Sequence, residues 1–320
     1  MAEVVVAGHI CLDVIPRLGK GADIVPGKLV EVGAADITTG GCVANVGRAL
    51  HGLGVGVRLV GKIGDDPFGG LLTGVLAREG LAGGLVEAKG GVTSYSIVIS
   101  PPGADRTFLH APGCNATFTA SDVPEEALAG ARLFHFGYPP LMAATFANEG
   151  AELEAILRKA KEAGLTTSLD MSLPDPESPS GHAPWRRILE RVLPLVDVFL
   201  PSQDELAFML GLSEGMAEIC LDMGAGAVVI KRGEQGLLAR CGDRGIWPGQ
   251  RAEQACFPVE VVGTTGSGDA TIAGFLMGLL RGMSLKECLI AGCAVGAHSV
   301  EATDAVSGIR SWPETSARWR

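Results

Sequence analysis

Ala151-Glu152-Leu153-Glu154-Ala155-Ile156-Leu157-Arg158-Lys159-Ala160-Lys161, followed by Gly164 and then by Thr166-Thr167-Ser168-Leu169, decides the fold class. Leu153, Ile156, Leu157 and Ala160 share one face at helical spacing. Gly164 stands where a helix stop is expected, and Thr166–Leu169 then reads as a short strand. Similar runs recur at Val4–Ala7, Arg132–Phe136, Val196–Leu200 and Ala227–Ile230, with helical patterns between them. Val4–Ala7 is apolar throughout, which suits a strand covered on both faces. This alternation predicts an α/β fold: a doubly wound, mostly parallel central sheet with helices on both faces.

Two regions break the rhythm. Residues 14–37 and 92–119 are rich in β-branched residues and turn formers, with no convincing helix. Pro101-Pro102-Gly103-Ala104-Asp105 reads as a hairpin tip between Tyr95–Ser100 and Arg106–His110. Both regions are expected to form a small β-sheet that projects from residues 1–320, otherwise a single domain. Such a layer serves as a lid, as a homodimer contact, or as both. Pro174, Pro176, Pro179 and Pro184 make the intervening stretch a long surface loop.

Hydrophobic residues make up 47% of the 320 and charged residues 19%, enough for a large core. The net charge of −10 argues against a nucleic-acid partner. The eight cysteines include no C-x-x-C pair, so a zinc or redox motif is not expected. The N-terminus lacks a basic region followed by a signal-length apolar run. Ala270–Leu280 is too short to span a bilayer. A cytoplasmic protein without membrane partners is the expectation.

The strongest chemical signal is Val262-Gly263-Thr264-Thr265-Gly266-Ser267-Gly268-Asp269, which leads into an apolar helix. Its glycines allow a compact loop of like-pointing N–H groups, and a helix N-terminus adds partial positive charge. Together these suit an anion, with Asp269 at the lip as a base for an attacking hydroxyl. The competing reading makes Asp269 a plain helix cap. Gly40-Gly41-Cys42-Val43-Ala44-Asn45 opens a second helix, where a ligand can approach the backbone and meet the Asn45 amide. Gly56 to Lys62 imitates the start of a P-loop. Ile63 stands where a magnesium-binding hydroxyl is needed, and Val57–Val60 reads as a strand, so this reading is rejected. No G-x-G-x-x-G follows the first strand, which removes a dinucleotide-dependent oxidoreductase.

These segments, in chain order, resemble the PfkB-type (ribokinase-like) carbohydrate kinases. The matching motifs are Gly40-Gly41-x-x-Ala44-Asn45, Gly61-x-Ile63-Gly64-x-Asp66-x-Phe68-Gly69 and Thr264-x-Gly266-x-Gly268-Asp269. The resemblance implies ATP- and Mg²⁺-dependent phosphorylation of a hydroxyl, expected to be primary, on a small sugar or sugar acid. Fructose, 2-keto-3-deoxygluconate and ribose are candidates; a nucleoside kinase and a non-catalytic sugar or nucleotide binder are the alternatives. By the same resemblance Asp269 is the catalytic base and Gly266, Ser267 and Gly268 form the anion hole. Asp13, Gly40, Gly41 and Asn45 contact substrate. Ser202, Glu205, Lys231, Gly233 and Thr264 border the nucleotide with the glycine loop, and Glu205 acts indirectly on Mg²⁺. Ser202 replaces the family's usual Asn. Asp13, Glu205 and the Lys231-Arg232 pair also admit plain readings as a loop cap, a helix first-turn charge and solvated charges. Arg106 at the hairpin base is a candidate partner for a substrate carboxylate or phosphate, or a solvated charge. Gly263 stands where the family usually has Asp or Asn, and Thr303-Asp304-Ala305 where many relatives have Gly-Ala. Both departures put a monovalent-cation site in doubt.

Overall fold

The computed structural model describes residues 2–19, 24–101 and 107–319. Its main sheet has eight strands in the spatial order Arg251–Gln254, Leu237–Cys241, Ala227–Lys231, Val198–Phe199, Thr166–Leu169, Leu133–Gly137, Val4–Gly8 and Val57–Val60. The last six pair in parallel, and the first two close the edge as antiparallel strands.

Val4, Val5, Val6 and Ala7 are all fully buried. Side chains alternate across a strand, so Val4 and Val6 enter one apolar cluster and Val5 and Ala7 the other. The first cluster includes the helices Gly41–Gly52, Ser267–Leu280 and Leu285–Ser299, and the second Ala151–Glu162, Trp185–Val192, Gln203–Leu210 and Met216–Asp222. The sheet is thus doubly wound, with its core in two layers.

The Ala151 helix ends near its expected stop, and Gly164 takes φ +80°. The Val196–Leu200 run shortens to Val198–Phe199. There the Asp197 carboxylate accepts from the Thr167 amide at 2.8 Å, a side chain standing in for the ladder. Val57–Val60 is a strand, and Lys62 pairs with Asp122, which fits the rejected P-loop.

Strand order reverses beside the first strand. The chain passes from Val4–Gly8 to Val57–Val60 on one side, and later strands add on the other, beginning with Leu133–Gly137. A crevice opens at the carboxyl ends of such diverging strands, where ligands bind in open α/β sheets.

The second sheet holds Ala35–Gly40, Cys11–Pro16, Tyr95–Ile99 and Thr107–Ala111, in that order. Its bounds differ from 14–37 and 92–119. The first strand starts at Cys11 and its partner runs to Gly40, so Asp13 lies in a strand and not in a loop. At the far end the strand stops at Ala111, where Pro112 and a 3₁₀ turn over Gly113–Thr117 take over. The expected hairpin tip, with Arg106, falls outside the described residues.

Candidate active site

Gly266 is the N-cap of the Ser267–Leu280 helix, at φ +69° and without a side-chain cap. Asp269 therefore sits in the first turn and is not the cap. Its carboxylate is 2% exposed. Asn45 Nδ2 donates to Oδ2 at 2.9 Å, and the Tyr138 hydroxyl lies 2.9 Å from Oδ1 and 2.8 Å from Oδ2. Three segments far apart in sequence thus converge on one carboxylate. Burial pushes Asp269 upward, while the Asn45 and Tyr138 hydrogen bonds and the Lys231 charge hold it back.

Asp269 and Tyr138 line a cavity of about 630 Å³, and Asn45 lines a second of about 960 Å³. The Asn45–Asp269 hydrogen bond links the lining of one cavity to that of the other. The first cavity takes Ser202, Glu205, Lys231, Gly233 and Gly268, all expected beside a nucleotide. Ser202 and Glu205 also form a capping box at the Gln203–Leu210 helix: Glu205 Oε2 accepts from the Ser202 amide at 2.6 Å. Lys231 is not a solvated charge. Its Nζ bonds Asp170 Oδ1 at 2.5 Å, in a pair whose carboxylate is 1% exposed. Burial pushes Asp170 up; burial also pulls Lys231 down, but Asp170, Glu205 and Asp269 more than reverse it. With three carboxylates around it the ammonium is the fixed charge, and burial pushes the Asp170 carboxyl beside it up to about 8. A β-carbon at Gly268 would stand 3.8 Å from this Nζ, so the ammonium lies beside the glycine loop. The Gly268 and Asp269 amides are among those a helix leaves without an intrahelical carbonyl.

Thr264 departs from its expected place: with Thr265 it lines the second cavity, because the loop turns at Gly266. Gly266 packs on Ala305 and, like Ser267, lines neither cavity.

The second cavity is bordered by the second sheet, whose side chains lining it include Asp13, Asp36, Thr38, Val98 and Phe108. Asp13 accepts from the Cys11 thiol at 3.3 Å, and burial pushes its carboxyl up to about 6. Gly40 and Gly41 do not line the cavity; they make room for groups near it. A β-carbon at Gly40 would meet Asp13 Oδ2 at 2.3 Å, and one at Gly41 would meet His9 Nδ1 at 2.6 Å. Asn45 Oδ1 is buried without a partner among the described residues. Among the described residues that line the cavity, the one Lys or Arg is Arg48, held by Glu79 through three contacts.

Among the described residues no three His, Cys, Asp or Glu side chains are gathered to hold a metal. Two positions bear on the monovalent-cation site that the sequence put in doubt. Gly263 offers no side-chain donor, and a β-carbon there would stand 2.8 Å from Ala302 O. Asp304 Oδ1 is engaged by the Val306 and Ser307 amides at 2.9 and 2.8 Å.

Tyr138 and Asp170 escaped the motif-based reading. Each directly follows a parallel strand, Leu133–Gly137 and Thr166–Leu169. A polar residue at the carboxyl end of a parallel strand was the signal available for both.

The model of the pfkB family carbohydrate kinases matches residues 1–312. An uncharacterized sugar kinase of Archaeoglobus fulgidus is 28% identical over 263 residues, 81% of this chain and 97% of that protein. Fructokinase-1 of Zea mays is 29% identical over 286 residues, 87% and 84% of the two chains. Among solved structures, a putative ribokinase II from E. coli in complex with ATP and Mg²⁺ superposes with a TM-score of 0.80 at 20% identity, covering 99% of this chain and 98% of that one. With motifs, fold and family model in agreement along nearly its whole length, the chain belongs to the pfkB family of carbohydrate kinases.

Proposed function

We propose that the chain transfers the γ-phosphoryl group of ATP to a hydroxyl, expected to be primary, of a neutral sugar. ATP occupies the cavity bordered by Ser202, Glu205, Lys231 and Gly233, and the acceptor occupies the one bordered by Asp13 and Asn45. The acceptor oxygen bonds to phosphorus, its proton passes to Asp269, and the bond from the γ-phosphorus to ADP breaks. The Gly268 and Asp269 amides and the Lys231 ammonium face the charge that develops. Mg²⁺ would arrive on the ATP phosphates, with Glu205 acting on it indirectly, and would neutralise phosphate charge. The ATP and Mg²⁺ held by the E. coli protein support this part of the reading.

One observation carries the proposal: a buried carboxylate in a helix's first turn that lines one cavity and is hydrogen-bonded to Asn45 in the lining of the other. A neutral acceptor is favoured over a sugar acid because the second cavity presents Asp13 with no cationic partner among the described residues, while Arg48 is held by Glu79 and Asp36 by Arg17. A nucleoside is the second reading, favoured by the cavity's size and by the apolar Ile15, Val98 and Phe108 that line it.

The test is ADP release on a panel of ketohexoses, pentoses, nucleosides and 2-keto-3-deoxygluconate, with Asp269→Asn as the blank. The expected result is turnover with a neutral sugar that falls by roughly 10²–10⁴-fold in the variant. Near wild-type turnover in Asp269→Asn refutes the base, and preference for the sugar acid or a nucleoside refutes the acceptor class.

A further inference from the structure

Tyr138 belongs to none of the motifs, yet its hydroxyl touches both oxygens of Asp269, at 2.9 and 2.8 Å. A phenol facing a carboxylate donates. The residue holds a left-handed backbone, φ 63° and ψ 43°, unusual for a bulky side chain. Gly137 precedes it and Pro139-Pro140 follow, so the ring is set on a tight turn at the switch point of the sheet. Its other aromatic neighbour is His9, with ring centroids 6.1 Å apart.

We propose that Tyr138 is a positioning residue for Asp269, its hydroxyl fixing the orientation of the carboxylate and keeping it ionised for proton abstraction. The inference rests on Asp269 being the base. Asn45 alone would fix one oxygen and leave the group free to swing; the hydroxyl that spans both oxygens removes that freedom. Burial drives Asp269 toward its protonated, inactive form, and a donor aimed at the carboxylate opposes it. The other groups facing this pair are Lys231, Glu205, Asp170 and Cys42, and Asn45 supplies the second hydrogen bond. None of them is altered by a change at Tyr138.

The sign follows directly. Tyr138→Phe removes the donor, so Asp269 takes up its proton at higher pH and the acid limb of kcat moves upward. A hydrogen bond to a charged group is worth enough to move that limb by about one pH unit. At a pH below the limb kcat falls about tenfold, while KM for the acceptor stays near its original value. A more acidic phenol must do the opposite. The chain has only two tyrosines, so 3-fluorotyrosine incorporated into a Tyr95→Phe background labels position 138 alone, and the acid limb then moves down. The ¹⁹F resonance gives a readout that needs no turnover. It is expected to titrate with Asp269 and to lose that titration in Asp269→Asn.

Opposite shifts of the limb with a titrating ¹⁹F signal support the inference. A limb unmoved in both variants, or a ¹⁹F signal indifferent to Asp269→Asn, overturns it while leaving the kinase reading intact. If Tyr138→Phe does not fold, the fluorotyrosine protein carries the test alone. If no acceptor on the panel is phosphorylated, the kinase reading fails, and the ¹⁹F titration still decides whether Tyr138 governs Asp269.

Discussion

Burial pushes the Asp13 carboxyl to about 6, within reach of ordinary assay conditions. As pH falls through that value the carboxylate takes a proton and ceases to be a full acceptor for sugar hydroxyls. The expected outcome is an acid limb near pH 6 in kcat/KM, which reports the free enzyme. Asp13→Asn should remove that limb and raise KM for the acceptor by roughly ten- to a hundredfold, with a smaller change in kcat. Steady-state kinetics from pH 5 to pH 8 check this, and a limb that persists in the variant counts against it. Stability has the opposite sign: a carboxyl raised on folding favours the native state at low pH and loses that contribution as pH rises through 6. At this scale the sequence was a partial guide. Asp269, Asn45 and Asp13 were legible because motif glycines flank them or, for Asp13, because it follows the first strand closely. Tyr138 and Asp170 were not, because a single polar residue after a strand carries no spacing pattern of its own.

The element with the clearest consequence is the loop over residues 262–266. Its turn at Gly266 sends Gly268 toward one cavity and Thr264 toward the other. Sequence could supply the glycines but not the side to which each neighbour turns, which explains the displaced Thr264. The same geometry sets Gly263 against Ala302 and Thr303, and Asp304 is already engaged in its own turn. The loop therefore offers a monovalent cation no carboxylate from position 263. Replacing NaCl with KCl at constant ionic strength is expected to leave kcat unchanged in the ADP-release assay. Activation specific to K⁺ would contradict this account of the loop.

At the scale of the whole molecule, the six parallel strands were legible because short runs such as the unbroken apolar Val4–Ala7 alternate with helical patterns, whereas the antiparallel edge strands Leu237–Cys241 and Arg251–Gln254 were not read. The bounds of the second sheet were less legible, because strand pairing there joins residues 11–16 to residues 35–40, a register that no local pattern announces. The register puts Ile37, Val14, Ile97 and Leu109 in one row across the four strands, on the face opposite the Asp13 row. Ile37 is 48% and Leu109 55% exposed. We propose that the exposed ends of this row, Ile37 and Leu109, pack against a second copy of the chain. Sedimentation velocity is expected to show a dimer, converted to a monomer by Ile37→Asp with Leu109→Asp; a monomeric wild type would remove the idea.

The two residues that meet Asp269 are separated from it by 224 positions for Asn45 and 131 for Tyr138. Contacts that span so much chain wait on the closure of large loops, which makes them slow to form. No fragment that stops short of the Ser267–Leu280 helix can assemble this cluster, however well its sheet is formed. Turnover is thus a gauge of complete folding, reporting the arrival of the last third of the chain on the first.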